Sequence, residues 1–418
     1  MKRIRVLGGQ KLSGTITISG SKNSAVALVP ASLLSDEIVE IDNVPNISDI
    51  DALSEILEYL GAKVERNGTS MKIDSTNVTN KVIPEEISKK LRASYYFMGA
   101  LLGKYKKVEM YFPGGCSIGE RPINLHLKGF EALGATVTEE GNKYIVEAEE
   151  LKGANIYLDI ASVGATINLM LASVFAKGIT VIGNAAKEPH IVNVATFLNQ
   201  MGASITGAGT SEIRIQGVEK LSGCFHEVVP DYIETGTYLI AGALCGENLK
   251  IENAIPDHLE ALLSKLKEIG VILEAGKDYI TISKGNNYKA VSIKTAVYPG
   301  FPTDLQQPFM TLLTQCQGLS KVEENIFENR FMHIPYLNEM GASITASEKV
   351  AFISGKTALI GKEVEATDLR AGASLILAAL CAEGETVITK VEHVLRGYEG
   401  IIEKLQNVGA KIELEEIE

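Results

Sequence analysis

The sequence predicts an α/β protein of two domains, each built from three copies of one helix–strand–helix–strand-pair unit. Three observations carry this. A phrase of the form apolar-Gly-small-x-apolar recurs as LGAKV at Gly61, LGATV at Gly134, MGASI at Gly202, IGVIL at Gly270, MGASI at Gly341 and VGAKI at Gly409, in steps of 73, 68, 68, 71 and 68 residues. Each of these glycines closes an amphipathic stretch and is followed by short alternating runs. Upstream of the amphipathic stretches lie helices of a second kind, apolar on every side. Near-equal steps along the whole chain mark internal repeats, and units of about 70 residues exceed the 20–50 of ordinary solenoid modules.

The elements follow from periodicity. Ile50, Leu53, Leu57 and Leu60 recur at helical spacing with Glu55 and Glu58 turned outward, and Leu259, Leu262, Leu263, Leu266 and Ile269 do the same after Pro256 and Asp257. A Gly just past the last apolar position accepts the left-handed conformation that stops a helix. The runs after it, such as Glu212-Ile-Arg-Ile-Gln, alternate as strands do. The segments Ala25 to Leu34, Ile167 to Ala176, Tyr238 to Cys245 and Ala373 to Ala382 are apolar all round, so they must be buried. Six copies divide into domains at 22–229 and 230–418, near Val229 and Pro230, with the second domain completed by residues 1–21. That N-terminal strand is expected to pair with the C-terminal end.

Composition narrows the function. The chain has 418 residues, 45% apolar and 22% charged, which describes a globular protein with ample core. The longest apolar run, Leu375 to Ala382, has eight residues, against the roughly 20 of a membrane helix. The first residues, MKRIRVLGGQKLSG, lack the apolar stretch of a signal peptide. Five cysteines without a CxxC pair argue against disulfides and for a reducing cytoplasm. A net charge of −12 repels nucleic acid and anionic membranes, so an anionic substrate requires a local cluster of cations. There is no Trp to support base stacking. HExxH, GxGxxG and GxxxxGK[ST] are absent, and the six His show no metal-ligand spacing.

Loops that differ between copies are free to carry function. The loops entering the buried helices hold Lys22 (GSKNSA), Arg92 (KLRASY), Ser162 (ASVGAT), Asp231 (DYIETG), Asp304 (PTDLQQ), and Asp368 with Arg370 (TDLRAG). Those entering the amphipathic helices hold Cys116 and Arg121 (PGGCSIGERP), Arg330 (FENRFMH) and Arg396 (HVLRGYE). Both sets lie at helix N-termini, where free N–H groups and the helix dipole favour anions. A lone cation there is by default a solvated surface charge. Six of them (Lys22, Arg92, Arg121, Arg330, Arg370 and Arg396) at repeat-equivalent places would converge if both domains face one cleft, and would then hold phosphate and carboxylate. Cys116 stands among Gly114, Gly115 and Gly119 and beside Arg121, a setting that lowers a thiol pKa and suits a proton donor or nucleophile. Cys224, Cys245, Cys316 and Cys381 read as inert structural thiols. Asp304 is a candidate general base or, equally, a helix N-cap, while Asp231 and Glu234 read as structural.

With PGGCSIGERPINLH, and with GSKNSA, LRAS, SVGAT, FPTD, FENRFMH, TDLRA and RGYE in register along the chain, the sequence resembles the bacterial UDP-N-acetylglucosamine 1-carboxyvinyltransferases of the enolpyruvyl transferase family. The resemblance implies two inside-out α/β barrels, each of three repeats with helices inside and sheets outside. It implies transfer of the enolpyruvyl group of phosphoenolpyruvate to the 3′-hydroxyl of UDP-N-acetylglucosamine, by addition and elimination, without a metal or organic cofactor. By motif, Cys116 is the general acid and Asp304 the base near the sugar hydroxyl. Lys22, Arg121 and Arg396 meet the phosphate, with Asn23 beside it, and Arg330 and Arg370 meet the carboxylate. Asp368 stands close to the reacting groups. Asn23, Arg92, Arg121, Pro122, Ile123, Asn124, Leu125, Ser162, Val163, Asp304 and Ile326 face the UDP-sugar.

Two other readings are weighed. The shikimate-pathway enolpyruvyl transferase shares fold and chemistry but does not use a catalytic Cys at this place, so Cys116 favours the UDP-sugar acceptor. A catalytically dead UDP-sugar-binding paralogue fits poorly with a complete set of Cys116, Asp304 and arginines.

Overall fold

The computed structural model describes residues 2–112, 118 and 123–416. They form two compact units: a first of residues 20–112 and 123–229, and a second of residues 2–19, 118 and 230–416.

In the first unit the order of elements repeats three times. Helix Lys22–Ala31, strand Val39–Asp42, helix Ser48–Leu60 and the hairpin Lys63–Asn67 and Ser70–Asp74 make the first copy. Helices Tyr96–Tyr105 and Asn124–Ala132 belong to the second, and Val163–Ser173 and Pro189–Gln200 to the third. The second unit repeats the pattern with buried helices Tyr232–Cys245, Gln306–Leu313 and Leu369–Cys381. Every residue of Tyr232–Cys245 is buried, as its apolar stretch Tyr238 to Cys245 requires of that part. The amphipathic helices bury one stripe; in Ser48–Leu60 it is Ile50, Leu53, Ile56, Leu57 and Leu60. Each fully buried Leu or Ile there contributes about 1.5–3 kcal/mol.

The six repeat glycines all sit at positive φ, between 96° at Gly134 and 109° at Gly61. At Gly61 and Gly270 the left-handed residue is the helix C-cap itself. A side chain is strained in that conformation, which is why the period is written in glycine.

In five of the copies the strand after the buried helix pairs antiparallel with the second hairpin strand, in the sixth Lys2–Leu7 takes that place, and most of these strands also pair in parallel with a short strand. In the third copy that short strand, Asn155–Tyr157, immediately precedes the buried helix and lies beside Ile179–Gly183. Two of these short strands are exchanged. Leu12–Thr17 precedes helix Lys22–Ala31 but pairs with Gly246–Glu252 of the second unit, and Phe225–Glu227 precedes Tyr232–Cys245 but pairs with Val39–Asp42 of the first. Residues 1–21 therefore hold two strands rather than one. The other, Lys2–Leu7, lies antiparallel between Glu385–Thr389 and Lys411–Glu416, with Ile4 opposite Ile388 and Leu414. No helix among the described residues is long and apolar enough to cross a membrane.

The buried helices begin earlier than their apolar pattern. Their N-caps are Ser21, Ser162, Asp231 and Asp368, whose side chains accept hydrogen bonds from the first turn. The polar entry loop thus supplies the cap and the first residues, and these include Lys22, Asn23 and Arg370.

Candidate active site

In the second unit, Pro302 leads into a single 3-10 turn, Thr303–Leu305, ahead of helix Gln306–Leu313. Asp304 in that turn caps nothing with its side chain. Its Oδ1 is 2.6 Å from Nη2 of Arg330 and its Oδ2 is 3.2 Å from Nη2 of Arg370. Of the two readings open for Asp304, the N-cap is the one the geometry rejects. Both arginines are deeply buried and each lies over an aromatic ring, Arg330 over Phe327 at 5.4 Å and Arg370 over Tyr398 at 5.2 Å. Such planar, weakly hydrated cations tolerate burial when a carboxylate and a π face share them. The Tyr398 hydroxyl is in turn 2.9 Å from Oγ1 of Thr237.

Asp368 is the cap that Asp304 is not. Its Oδ1 accepts from the N–H groups of Arg370 (2.9 Å) and Ala371 (3.1 Å), and its Oδ2 accepts from Gln307 Nε2 (3.1 Å). It thereby sets the start of helix Leu369–Cys381 and the place of Arg370. Arg396 ends the short helix Glu392–Leu395, half-buried and two residues before Tyr398. Asp231 caps Tyr232–Cys245, and Glu234 accepts from the Ser19 N–H at 2.8 Å and from Lys404 at 2.6 Å, both in keeping with structural roles.

One organiser has no signal in the sequence. Glu324 is buried and accepts from Thr295 Oγ1 (2.8 Å), Thr303 Oγ1 (3.0 Å) and the N–H groups of Ile326 (2.8 Å) and Phe327 (3.3 Å). One carboxylate thus ties the turn of Asp304 to the loop that carries Ile326 and Arg330. It follows Glu323 at the end of a strand, where a solvated acid is the default reading.

In the first unit, Lys22 opens helix Lys22–Ala31 and its Nζ is 2.6 Å from Oδ2 of Asp49, with both side chains nearly buried. Asn23 follows, half-buried. Arg92 opens the 3-10 turn Arg92–Tyr95 and stacks near Tyr95 (5.9 Å) and Phe112 (5.8 Å). Ser162 caps helix Val163–Ser173, accepting from Ala165 N–H at 3.2 Å. Asn168 of that helix joins two segments: its amide nitrogen is 2.9 Å from His126 Nδ1 and donates to the Tyr95 carbonyl at 3.1 Å. Burial, with Arg92 assisting, holds the His126 imidazole down to about 3. The structure therefore gathers Arg92, Tyr95, His126 and the Ser162–Gly164 turn, while Ile123, Asn124 and Leu125 begin the helix that carries His126.

Cys116, Arg121 and Pro122 lie outside the described residues. Between them Ile118 is buried, and its carbonyl accepts from the N–H of Asn329, the neighbour of Arg330. The other four cysteines are free thiols held protonated by burial, Cys224 and Cys245 up to about 11, Cys316 up to about 12 and Cys381 higher still.

Residues 6–405 match the family model of EPSP synthase (3-phosphoshikimate 1-carboxyvinyltransferase). The chain is 52% identical over 412 residues to UDP-N-acetylglucosamine 1-carboxyvinyltransferase 2 of Geobacillus kaustophilus, covering 99% of this chain and 96% of that one. It is 53% identical over 418 residues to the protein of the same name from Clostridium acetobutylicum, covering all of both. Among solved structures it is similar to the enolpyruvyl transferase NikO from Streptomyces tendae, with TM-score 0.90 and 26% identity over 100% of this chain and 99% of that one. EPSP synthase from Acinetobacter baumannii shares the fold at TM-score 0.77 and 18% identity, each chain covered in full. With a family model spanning nearly the whole chain and half of all residues shared end to end with these relatives, the chain belongs to the enolpyruvyl (1-carboxyvinyl) transferase family, alongside its UDP-N-acetylglucosamine 1-carboxyvinyltransferases.

Proposed function

We propose that the protein transfers the enolpyruvyl group of phosphoenolpyruvate to the 3′-hydroxyl of UDP-N-acetylglucosamine and releases phosphate, the first committed step of peptidoglycan synthesis. It thereby serves cell-wall growth, cell shape and division in the bacterial cytoplasm. The observation that supports it most is the pair of buried arginines on Asp304, in a chain that shares its full length with enzymes of that name. Each unit is an inside-out α/β barrel, a reading supported by three sheets apiece among the described residues and by helices with no exposed face.

Each residue takes a chemical role. Arg330 and Arg370 bind the carboxylate of phosphoenolpyruvate, and Lys22, Arg121 and Arg396, with Asn23 beside them, bind its phosphate. Asn23, Arg92, residues 121–125, Ser162, Val163 and Ile326 hold the UDP-sugar. In the addition, Asp304 takes the proton of the 3′-hydroxyl as its oxygen bonds to C2, while Cys116 gives a proton to C3. The product of that step is a tetrahedral phospho-ketal. In the elimination, C3 loses a proton, the double bond re-forms, and the C2–O bond to phosphate breaks. A polyanion of this kind requires preorganised cations and a placed acid. Asp368 keeps Arg370 in place close by.

The test is phosphate release with phosphoenolpyruvate and either UDP-N-acetylglucosamine or shikimate 3-phosphate. Turnover with the UDP-sugar alone is expected. Turnover with shikimate 3-phosphate alone reassigns the acceptor, and silence with both refutes the activity.

A further inference from the structure

Around Arg330, several buried polar atoms have no protein partner among the described residues. His333 is fully buried and neither ring nitrogen has a partner among the described residues. Arg330 Nε and Gln307 Oε1 are likewise buried and unpartnered, although Arg330 Nη2 reaches Asp304 and Gln307 Nε2 donates to Asp368 at 3.1 Å. Buried polar groups are almost always bonded, by protein or by ordered water. These four atoms are complementary. Arg330 Nε–H donates, a neutral imidazole accepts on one nitrogen and donates from the other, and Gln307 Oε1 accepts. His333 follows Arg330 by three residues and lies within electrostatic reach of both Arg330 and Asp368.

We propose that His333 is a positioning residue whose ring, through ordered water, takes the Arg330 Nε–H on one nitrogen and donates toward Gln307 Oε1 from the other. The chain Arg330–His333–Gln307–Asp368 then connects the arginine that holds Asp304 to the carboxylate that caps the helix of Arg370. Burial holds the imidazole down to about 4, Asp368 opposing and Arg330 assisting, so the ring keeps one donor and one acceptor at neutral pH. A charged ring would offer Arg330 no acceptor and would repel it. The relay sets the angle at which Arg330 meets a carboxylate without touching substrate itself. The inference rests on the roles proposed for Asp304, Arg330 and Asp368.

The test compares wild type, His333→Leu and His333→Gln by phosphate release and thermal melting. Leucine removes both ring nitrogens and leaves a similar volume. It is expected to keep the melting temperature and the KM for UDP-N-acetylglucosamine while lowering kcat/KM for phosphoenolpyruvate at least tenfold. Glutamine keeps a donor and an acceptor and is expected to recover most of that loss. Equal kcat/KM in all three proteins, or equal losses in the two variants, overturns the relay. An inactive wild type overturns the reading beneath it and the relay together. Nitrogen NMR of the wild-type ring stands apart from any variant's folding. A neutral ring with a slowly exchanging N–H is expected, and a doubly protonated or freely exchanging ring at pH 6 overturns the proposal.

Discussion

Arg330 Nη2 lies 2.6 Å from Asp304 Oδ1, and the arginine is only 2% exposed. The other carboxylate oxygen serves Arg370, itself 4% exposed. A single carboxylate is therefore shared between two buried guanidiniums and leaves one positive charge over, on the same two groups that are proposed to take the carboxylate of phosphoenolpyruvate. Asp304 is both the candidate base and the internal counter-ion of the subsite.

Removing that counter-ion exposes both roles. Asp304→Ala leaves two buried cations facing one another, which is expected to cost about 3–5 kcal/mol of stability. Turnover is expected to fall roughly 10²–10⁴-fold with the base gone. Phosphoenolpyruvate at about 100 times its Kd stabilises by about 2.7 kcal/mol, and by carrying a replacement carboxylate it should raise the melting temperature of the variant more than that of wild type. A ligand shift no larger than the wild-type one contradicts this account.

Gly164 follows the Ser162–Val163 pair, and a Cβ there would lie 2.6 Å from the Tyr95 hydroxyl oxygen and 3.0 Å from His126 Cε1. Gly164→Ala must push Tyr95 away, and Arg92 stacks on that ring. Overpacking of this sort costs about 1–3 kcal/mol. The variant is expected to raise KM for the UDP-sugar several-fold and leave KM for phosphoenolpyruvate unchanged. Trimming the hydroxyl with Tyr95→Phe relieves the contact and should restore much of the loss. Steady-state kinetics of the single and double variants decide it, and a double variant as poor as Gly164→Ala removes the steric explanation.

The repeat was legible because its cause is local. Gly61 and Gly270 stop helices by adopting positive φ, and Leu53 and Leu57 bury one stripe, all within a few residues of chain. The exchange of Leu12–Thr17 and Phe225–Glu227 was not legible, since each pairs with a strand some 185 to 235 residues away and the second, of three residues, carries little pattern. Arg330 and Arg370 were legible as cations of repeat-equivalent loops. That Asp304 pairs with Arg330 and Arg370 while Asp368 caps a helix was not, because both read as Asp in a helix-entry loop. Glu324 carries no signal for a different reason: it reads as a solvated acid at a strand end, and only the fold shows that Thr295, Thr303, Ile326 and Phe327 all point their donors at it.

Thiol chemistry is expected to separate Cys116 from the rest. Cys224, Cys245, Cys316 and Cys381 are kept protonated by burial, with pKa values of about 11 or above, and the thiolate is the reactive form. One equivalent of iodoacetamide or of the epoxide fosfomycin is expected to enter the folded protein at pH 7.5, at Cys116, with activity lost in proportion. Peptide mapping by mass spectrometry locates the label. Full activity with Cys116 stoichiometrically modified, or earlier labelling of Cys224, contradicts the assignment.

Acid should loosen the first unit before the second. In the first, burial holds His126 down to about 3 and His226 down to about 4. As pH falls below 6.5 the unfolded rings take up protons that the folded rings refuse, so stability is lost. At 1.36 kcal/mol per pKa unit the loss at pH 4.5 is roughly 3 kcal/mol for each ring. The second unit carries His333, held down to about 4, with half-buried His258 shifted in the same direction. It also carries Glu234, which burial pushes up to about 7 against the pull of Lys404. That carboxyl takes its proton near pH 7 when folded but only near 4.5 when unfolded, so acid stabilises the folded form by roughly 3 kcal/mol and offsets His333. Hydrogen exchange at pH 4.5 and pH 7 reads the difference. Amides of strands Lys107–Tyr111 and Ile179–Gly183 are expected to lose protection at pH 4.5, while Gly246–Glu252 and Gly318–Glu323 keep theirs. Glu234→Gln should make the second unit acid-sensitive as well, because His333 then titrates unopposed.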